Sequence, residues 1–346
     1  MYLYVTGDCN QRCAHCWIEA AHVTAPRGGP PVTPAEVRRA VEEARPLGLE
    51  SVKVTGGEPF VRPDAIDIIE AVAAAGVGVS VETNGTLIDG ALAARLAASV
   101  GLVSVSLDGA TAATHDALRG QPGAFARTLR SIAGLVRGGV AVQVITTLSR
   151  ASAAEVDGVL DLCARLGVAS FKLNLLAPMG RGRALHAAGA ALSIAEVIAI
   201  THHVEEERAP ELPFAVDSSL PLAFVSRARL RAGAGHRCPI VRILGVLGDG
   251  RLSVCGAGYV VPELLLGHLR SDSLARVWRE SPTLGRLRAA VPARLEGVCG
   301  RCVMRDACLG ACRVNAVSLD GSLLAPEWFC RAAERAGLFP RTRLVR

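Results

Sequence analysis

Through roughly the first 175 residues, short apolar runs rich in β-branched residues alternate with longer Ala- and Leu-rich stretches of helical period. The runs Tyr2–Thr6, Ser51–Thr55, Gly78–Glu82, Leu102–Leu107, Val140–Thr147 and Ser170–Leu175 read as strands. Between them Thr33–Leu47, Ala65–Ala75, Ala91–Ala98, Ala124–Arg137 and Ala153–Leu166 read as helices, with Pro34 after Thr33 marking the start of the first. Six such units predict a parallel sheet with right-handed crossovers. They are too few for the closed eight-stranded barrel, so the expected fold is α/β, a partial (β/α)6 TIM-like barrel over residues 1–182.

Periodicity weakens after Pro178-Met179-Gly180-Arg181-Gly182. Residues 183–237 read as a bridging region, with a helix near Ile194–Arg208 and Pro-broken sequence after it. From Cys238 glycine, cysteine and short strands dominate, so 238–346 is expected to form a separate Cys-rich domain. Composition narrows the class. A chain that is 50% hydrophobic is not mainly disordered. No apolar run reaches the roughly 18 residues of a membrane helix. The N-terminus has no signal-peptide pattern, so a cytoplasmic protein is expected. The net charge of +6 comes from scattered arginines, Lys53 and Lys172 being the only lysines. Without a basic run rich in aromatics, this argues against nucleic-acid binding.

Eleven cysteines then need explaining. In a reducing compartment clustered thiols favour metal or redox chemistry over disulfides, and the odd count fits a disulfide framework poorly. Cys9, Cys13 and Cys16 form C-x3-C-x2-C directly after the first strand, where parallel β/α folds place their sites. Three thiolates on one loop suit a [4Fe–4S] cube with one iron left open for a small molecule. Zinc, with His15 as a fourth ligand, is the competing reading, cramped because His15 and Cys16 are adjacent.

Here the chain resembles the radical S-adenosylmethionine (SAM) superfamily, whose hallmark is C-x3-C-x-aromatic-C, with His15 at the aromatic position. Further elements follow in order, each after its own strand. Gly56-Gly57-Glu58-Pro59 is similar to the family's GGEP, and Thr83-Asn84-Gly85 to TNG. Ser106-Leu107-Asp108-Gly109 is similar to SLDG, and His115-Asp116-Ala117-Leu118-Arg119-Gly120 to HDxxRG. The resemblance implies that Gly56, Gly57, Glu58, Pro59, Thr83, Asn84, Ser106, Asp108, Arg119, Thr146, Asn174 and Leu176 contact the cosubstrate, with Met179 a weaker candidate. In that scheme the glycines let backbone approach the ligand, Glu58 accepts from the methionine ammonium and Arg119 pairs with its carboxylate.

Seven cysteines lie further on. Cys238 and Gly250-x4-Cys255 precede Cys299-x2-Cys302-x5-Cys308-x3-Cys312, and Cys330 closes the set. Asp249-Gly250 is a hairpin signal that would bring Cys255 back toward Cys238. The spacing resembles the SPASM extension, which implies two auxiliary [4Fe–4S] clusters. Cys299, Cys302, Cys308 and Cys330 would hold the distal one, and Cys238, Cys255 and Cys312 the nearer one, one ligand short. A pair of zinc sites is the alternative. Cys163, on a predicted helix outside the barrel, reads as a buried inert thiol.

The resemblance implies an enzyme that cleaves SAM to a 5′-deoxyadenosyl radical and takes hydrogen from a peptide, maturing it by a crosslink, thioether or related change. Formylglycine formation, small-molecule dehydrogenation and haem-related maturation are alternatives on the same scaffold. A non-catalytic iron–sulfur electron carrier is the alternative of another class. The implied partners are a peptide or protein substrate and a reductant such as flavodoxin or ferredoxin. Because the first strand starts at Tyr2, no leader-recognition domain is expected before it, which calls for a separate recognition protein or for the bridging region. There Arg227, Arg229, Arg231 and Arg237 could meet an acidic leader or simply be a solvated linker. Asp217 is a candidate base, though it reads as an exposed loop carboxylate, and the faces taken by Lys53 and Lys172 are open.

Overall fold

The structure, a computed structural model, describes residues 1–26 and 28–345. All six predicted strands form: β1 (Tyr2–Tyr4), β2 (Ser51–Thr55), β3 (Gly78–Thr83), β4 (Leu102–Ser106), β5 (Val142–Leu148) and β6 (Ser170–Leu175). The short segment Ala215–Ser218 adds β7, and the Cys-rich region adds β8 (Gly245–Val246), β9 (Arg251–Ser253) and β10 (Leu265–His268). All ten share one sheet, in the order β10-β9-β8-β1-β2-β3-β4-β5-β6-β7. Strands β8 and β1 to β7 run parallel, and β9 and β10 continue antiparallel. The α/β partial barrel is therefore as expected, and residues from the bridging and C-terminal segments extend its sheet at both edges.

Alternation along the strands decides what the barrel can do. Val52 and Val54, Val79 and Val81, Val103 and Val105, Val142 and Val144, and Phe171 and Leu173 are buried in one apolar core. This is the face turned to the helices. The opposite face, lining the barrel, carries Lys53, Glu82, Ser104, Ser106, Gln143, Thr147, Lys172, Asn174 and Asp217. A strand whose side chains alternate with period two separates the faces in this way. In most packed barrels the interior is apolar; a polar interior is one kept for a ligand. Asp217 thus sits on a strand, in register with Lys172, and not on an exposed loop.

Helices α1 (Pro34–Ala44), α2 (Ala65–Ala74), α3 (Gly90–Ser99), α4 (Ala112–Arg119), α5 (Ala124–Arg137) and α6 (Val156–Leu166) cover the outer face. In α1 the hydroxyl of Thr33 accepts from the Glu36 N–H while the Glu36 carboxylate takes the Thr33 N–H, closing a capping box. Val37, Ala40, Val41 and Ala44 form its buried stripe. Periodicity did not predict α4, which is short and polar. In the bridging region Ile194–His202 is α-helical and winds on as wider turns to Arg208. The apolar core runs without interruption from Leu3 to Phe339. Cys163 on α6 is fully buried in it, and burial pushes its thiol up to about 12. Among the described residues no helix is long and apolar enough to cross a membrane.

Candidate active site

The loop carrying Cys9, Cys13 and Cys16 is pinned from three sides. The Arg12 and Ala14 N–H groups donate to the Arg119 and Leu118 carbonyls at the end of α4, at 3.1 and 2.9 Å. The Arg181 guanidinium donates to the Cys13 carbonyl at 2.8 Å and the Ala20 carbonyl at 3.2 Å. From the second strand, Gly57 N–H donates to Thr6 and Glu58 N–H to Asp8, at 3.0 and 2.8 Å. A Cβ on Gly56 would lie 2.6 Å from the Thr6 carbonyl, and one on Gly57 would overlap the Asp8 carbonyl. The two glycines therefore allow close approach to the cysteine loop's own backbone.

Glu58 departs from its expected role. It is fully buried, and its carboxylate accepts from Thr83 Oγ1 at 2.8 Å, Asn84 N–H at 2.7 Å and Phe60 N–H at 3.2 Å. It ties the third loop to the second and has no face toward the cavity. Burial pushes it up to about 7, with the bonds from Asn84, Thr83 and Phe60 pulling the other way. A carboxyl raised on folding binds more protons folded than unfolded. Stability is then greatest below the unfolded value of 4.5 and falls as pH rises toward about 7. Urea midpoints across that window are expected to fall by the equivalent of about 3 kcal/mol. Glu58→Gln is expected to flatten the fall, and an unchanged slope would exclude Glu58 as its source.

Asp108 and Arg119 are likewise turned on each other. Asp108 Oδ2 lies 2.7 Å from Arg119 Nη2 and 3.2 Å from His15 Nε2, and Oδ1 accepts from Thr147 N–H at 2.8 Å. Burial pushes this carboxyl up, but the Arg119 guanidinium leads the effects that outweigh it and leave it below its ordinary value. Burial lowers His15 to about 4, so the imidazole is neutral at physiological pH. Arg119 also reaches Cys13 Sγ at 3.7 Å.

A cavity of about 190 Å³ opens beside the three thiols. It is lined by Gly56, Gly57, Thr83, Asn84, Ser106, Arg119 and Asn174 from the expected set. Glu58, Pro59, Asp108, Thr146 and Leu176 do not line it. Thr146 is fully buried on the helix side, where its hydroxyl donates to the Leu107 carbonyl at 2.6 Å. Period-two alternation brings Ile145 and Thr147 to the cavity instead. Leu176 and Met179 are packed away, 5% and 2% exposed. Gln11, Trp17, Thr55, Glu82, Ser104 and Arg181 line the cavity unforeseen. The alternation along β2 to β5 held the signal for Thr55, Glu82 and Ser104, and Gly180-Arg181 held one for the loop staple.

The remaining thiols separate into two groups. Cys299, Cys302, Cys308 and Cys330 line one small apolar cavity with Pro221, Leu295, Val298 and Phe339. A hydrogen bond from Cys330 holds the Cys299 thiol below its ordinary value. Cys312 faces away from that cavity, and burial together with Cys312 and Cys255 holds the Cys238 thiol well above its ordinary value. Cys255 lies just beyond β9, after the Asp249-Gly250 turn with Gly250 at φ +93°. Of the arginines in the bridging region, Arg229 is bound to Glu205 at 3.3 Å and to the Val216 carbonyl at 2.7 Å, while Arg227, Arg231 and Arg237 are exposed.

A model of the radical SAM superfamily matches residues 3–163. An AdoMet-dependent heme synthase of Methanosarcina barkeri is 30% identical over 94% of this chain and 94% of its own length. The chain belongs to the radical SAM superfamily. Another relative of this radical SAM protein is the mycofactocin maturase MftC of Mycobacterium tuberculosis, 29% identical over 92% of the chain and 80% of the relative. Among solved structures, SuiB of Streptococcus suis bound to S-adenosylmethionine superposes with a TM-score of 0.73 at 18% identity, covering 95% of this chain and 76% of SuiB. The protein anSMEcpe with bound AdoMet gives 0.74 at 17% identity, covering 96% and 94%. These share the fold.

The radical SAM family is one of enzymes that bind a [4Fe–4S] cluster and SAM. The donor set here fits that group: three thiols on one pinned loop, open to a cavity rimmed by glycine backbone, Asn84, Ser106 and Arg119. Among the described residues no three His, Cys, Asp or Glu side chains are close enough to share a single ion. A cube, whose irons each take one thiolate, does not ask that of them.

Proposed function

We propose that this radical SAM enzyme takes hydrogen from a peptide held in the barrel, between the loop of Cys9, Cys13 and Cys16 and the thiols of Cys238, Cys255 and Cys312. Cys9, Cys13 and Cys16 would hold a cluster that, with SAM bound, would supply the one-electron chemistry for hydrogen abstraction. The chain's own residues orient and enclose. Arg119, fixed by Asp108, offers its remaining N–H groups to a carboxylate at the cavity wall. Asn84, Ser106 and Asn174 offer hydrogen-bonding groups around it.

The observation that supports the peptide reading is the polar lining of the barrel beyond the three thiols, where Lys53, Glu82, Gln143, Lys172 and Asp217 offer charged and hydrogen-bonding groups to a peptide's amides and side chains. The solved relatives of this fold include SuiB bound to precursor peptide SuiA and anSMEcpe bound to the Kp18Cys peptide. Haem-related maturation is the second reading, resting on the identity to the heme synthase. Under anaerobic conditions, reduced protein is expected to convert SAM to 5′-deoxyadenosine, and no cleavage would sink the enzyme reading. A Soret shift on adding a tetrapyrrole, with no response to peptide, would move the assignment to haem. A flavodoxin- or ferredoxin-type reductant and the cytoplasm belong to this proposal, in keeping with eleven free thiols.

The ligand sets are proposed as Cys9, Cys13, Cys16; Cys299, Cys302, Cys308, Cys330; and Cys238, Cys255, Cys312. Three cubes require about twelve irons per chain. Joint replacement of Cys9, Cys13 and Cys16 by alanine is expected to remove about four of them. Cys163→Ala is expected to remove none. Iron and sulfide analysis of reconstituted protein reads both.

A further inference from the structure

The barrel interior holds two lysines in unlike circumstances. Lys53 is satisfied: its ammonium lies 2.8 Å from Glu82 Oε1 and over the Tyr2 ring. Lys172 pairs with no carboxylate among the described residues, and its one polar contact is His236 Nδ1 at 3.4 Å. The charged and polar groups facing it are Glu82, Lys53, Asp217, Cys238 and His236. Asp217 is its register partner on β7, yet the two do not form an ion pair, and Asp217 Oδ1 is buried without a hydrogen bond. Half-buried and with no ion pair to the carboxylate on the neighbouring strand, Lys172 lacks the anionic partner that normally accompanies a lysine inside a protein.

Position says what the missing partner is. Lys172 lies two residues along β6 from Asn174, which lines the cavity beside the three thiols. That is about 7 Å, one side-chain length. We infer that Lys172 anchors a carboxylate of the substrate, so that the residue losing hydrogen is either acidic or the C-terminal residue of the peptide. The inference rests on the peptide reading above and narrows it to a substrate class.

Direct binding to the reconstituted holoprotein with SAM, read by saturation-transfer NMR, tests it. The probes are N-acetylglycine, whose carboxylate mimics a C-terminus, the α-amide of N-acetylglutamate, which has only a side-chain carboxylate, and N-acetylglycinamide, which has neither. At least one acid is expected to bind about tenfold tighter than the neutral amide, the scale of a charge-assisted hydrogen bond. Which acid wins separates the two sources. The preference is expected to vanish in Lys172→Met and return in part in Lys172→Arg. Equal binding of acids and amide, no binding of any probe, or a preference that survives Lys172→Met each overturns the inference. A role confined to balancing charge near Cys238 predicts a changed auxiliary reduction potential in Lys172→Met with no acid preference in the wild type, and also overturns it. SAM cleavage by the same wild-type preparation separates the failures: cleavage without acid preference defeats this inference alone, and absent cleavage defeats the enzyme reading.

Discussion

Asp108→Ala is expected to destabilise the protein by about 3–5 kcal/mol, the cost of stripping one partner from a buried ion pair. The carboxylate is fully buried and faces Arg119 at 2.7 Å and His15 at 3.2 Å. Its removal leaves a guanidinium that is 7% exposed with only a thiol sulfur nearby. The damage is not confined to stability. Arg119 ends α4, and the Arg119 and Leu118 carbonyls hold the backbone of Arg12 and Ala14. A displaced Arg119 therefore loosens the loop that carries Cys13. Asp108→Asn keeps an acceptor for the Thr147 N–H and is expected to fall between wild type and alanine in urea titrations. SAM affinity, measured by equilibrium dialysis, is expected to weaken in the same order. An alanine variant within about 1 kcal/mol of wild type would show that the pair contributes little, as an exposed one does.

Gly57→Ala is expected to lose most of its iron at Cys9, Cys13 and Cys16 and at least about 3 kcal/mol of stability, because overpacking against backbone has no flexible atom to absorb it. The added methyl overlaps the Asp8 carbonyl and lies 3.0 Å from the Cys9 nitrogen, so either the cysteine loop or the Gly57 strand end must move. Moving breaks the bonds from Gly57 and Glu58 to Thr6 and Asp8. The control is Gly90→Ala at the start of α3, where a Cβ meets nothing within 4 Å. That change is expected to be neutral or stabilising by up to about 1 kcal/mol. Iron analysis and thermal melts of the two variants decide it, and matching behaviour would remove the steric account.

What was legible in the sequence follows from how far each signal reaches along the chain. Strand cores such as Ser51–Thr55 and Ser170–Leu175 were legible because their alternation is contained in five or six residues. The α4 helix was not, since Ala112–Arg119 is only eight residues, about two turns, too short for a helical repeat to stand out. Likewise β7 is four residues after a proline, and pairing with β6 makes it a strand. Among the site residues the motifs located the loops, but not which way each side chain turns. Glu58 turns inward because Thr83 and Asn84, 25 and 26 positions later, supply its donors. Thr146 rather than Thr147 was expected at the cavity, an error of one residue in strand phase that reverses the face.

The pairing of β1 has a consequence for how the chain reaches this state. One flank of β1 is completed by Ser51–Thr55, the other by Gly245 and Val246. During synthesis the strand that leads into Cys9 emerges some 240 residues before its second neighbour exists. Until then it presents an unpaired edge of Tyr2, Leu3 and Tyr4, the kind of edge that recruits the wrong strand. Contacts so distant in sequence form slowly. The strand that leads into the first cysteine loop thus gains its second neighbour only once Gly245 and Val246 have been made, and cluster loading before then would act on an unfinished sheet. Slow elongation or low temperature during expression is the condition that favours a correctly closed sheet.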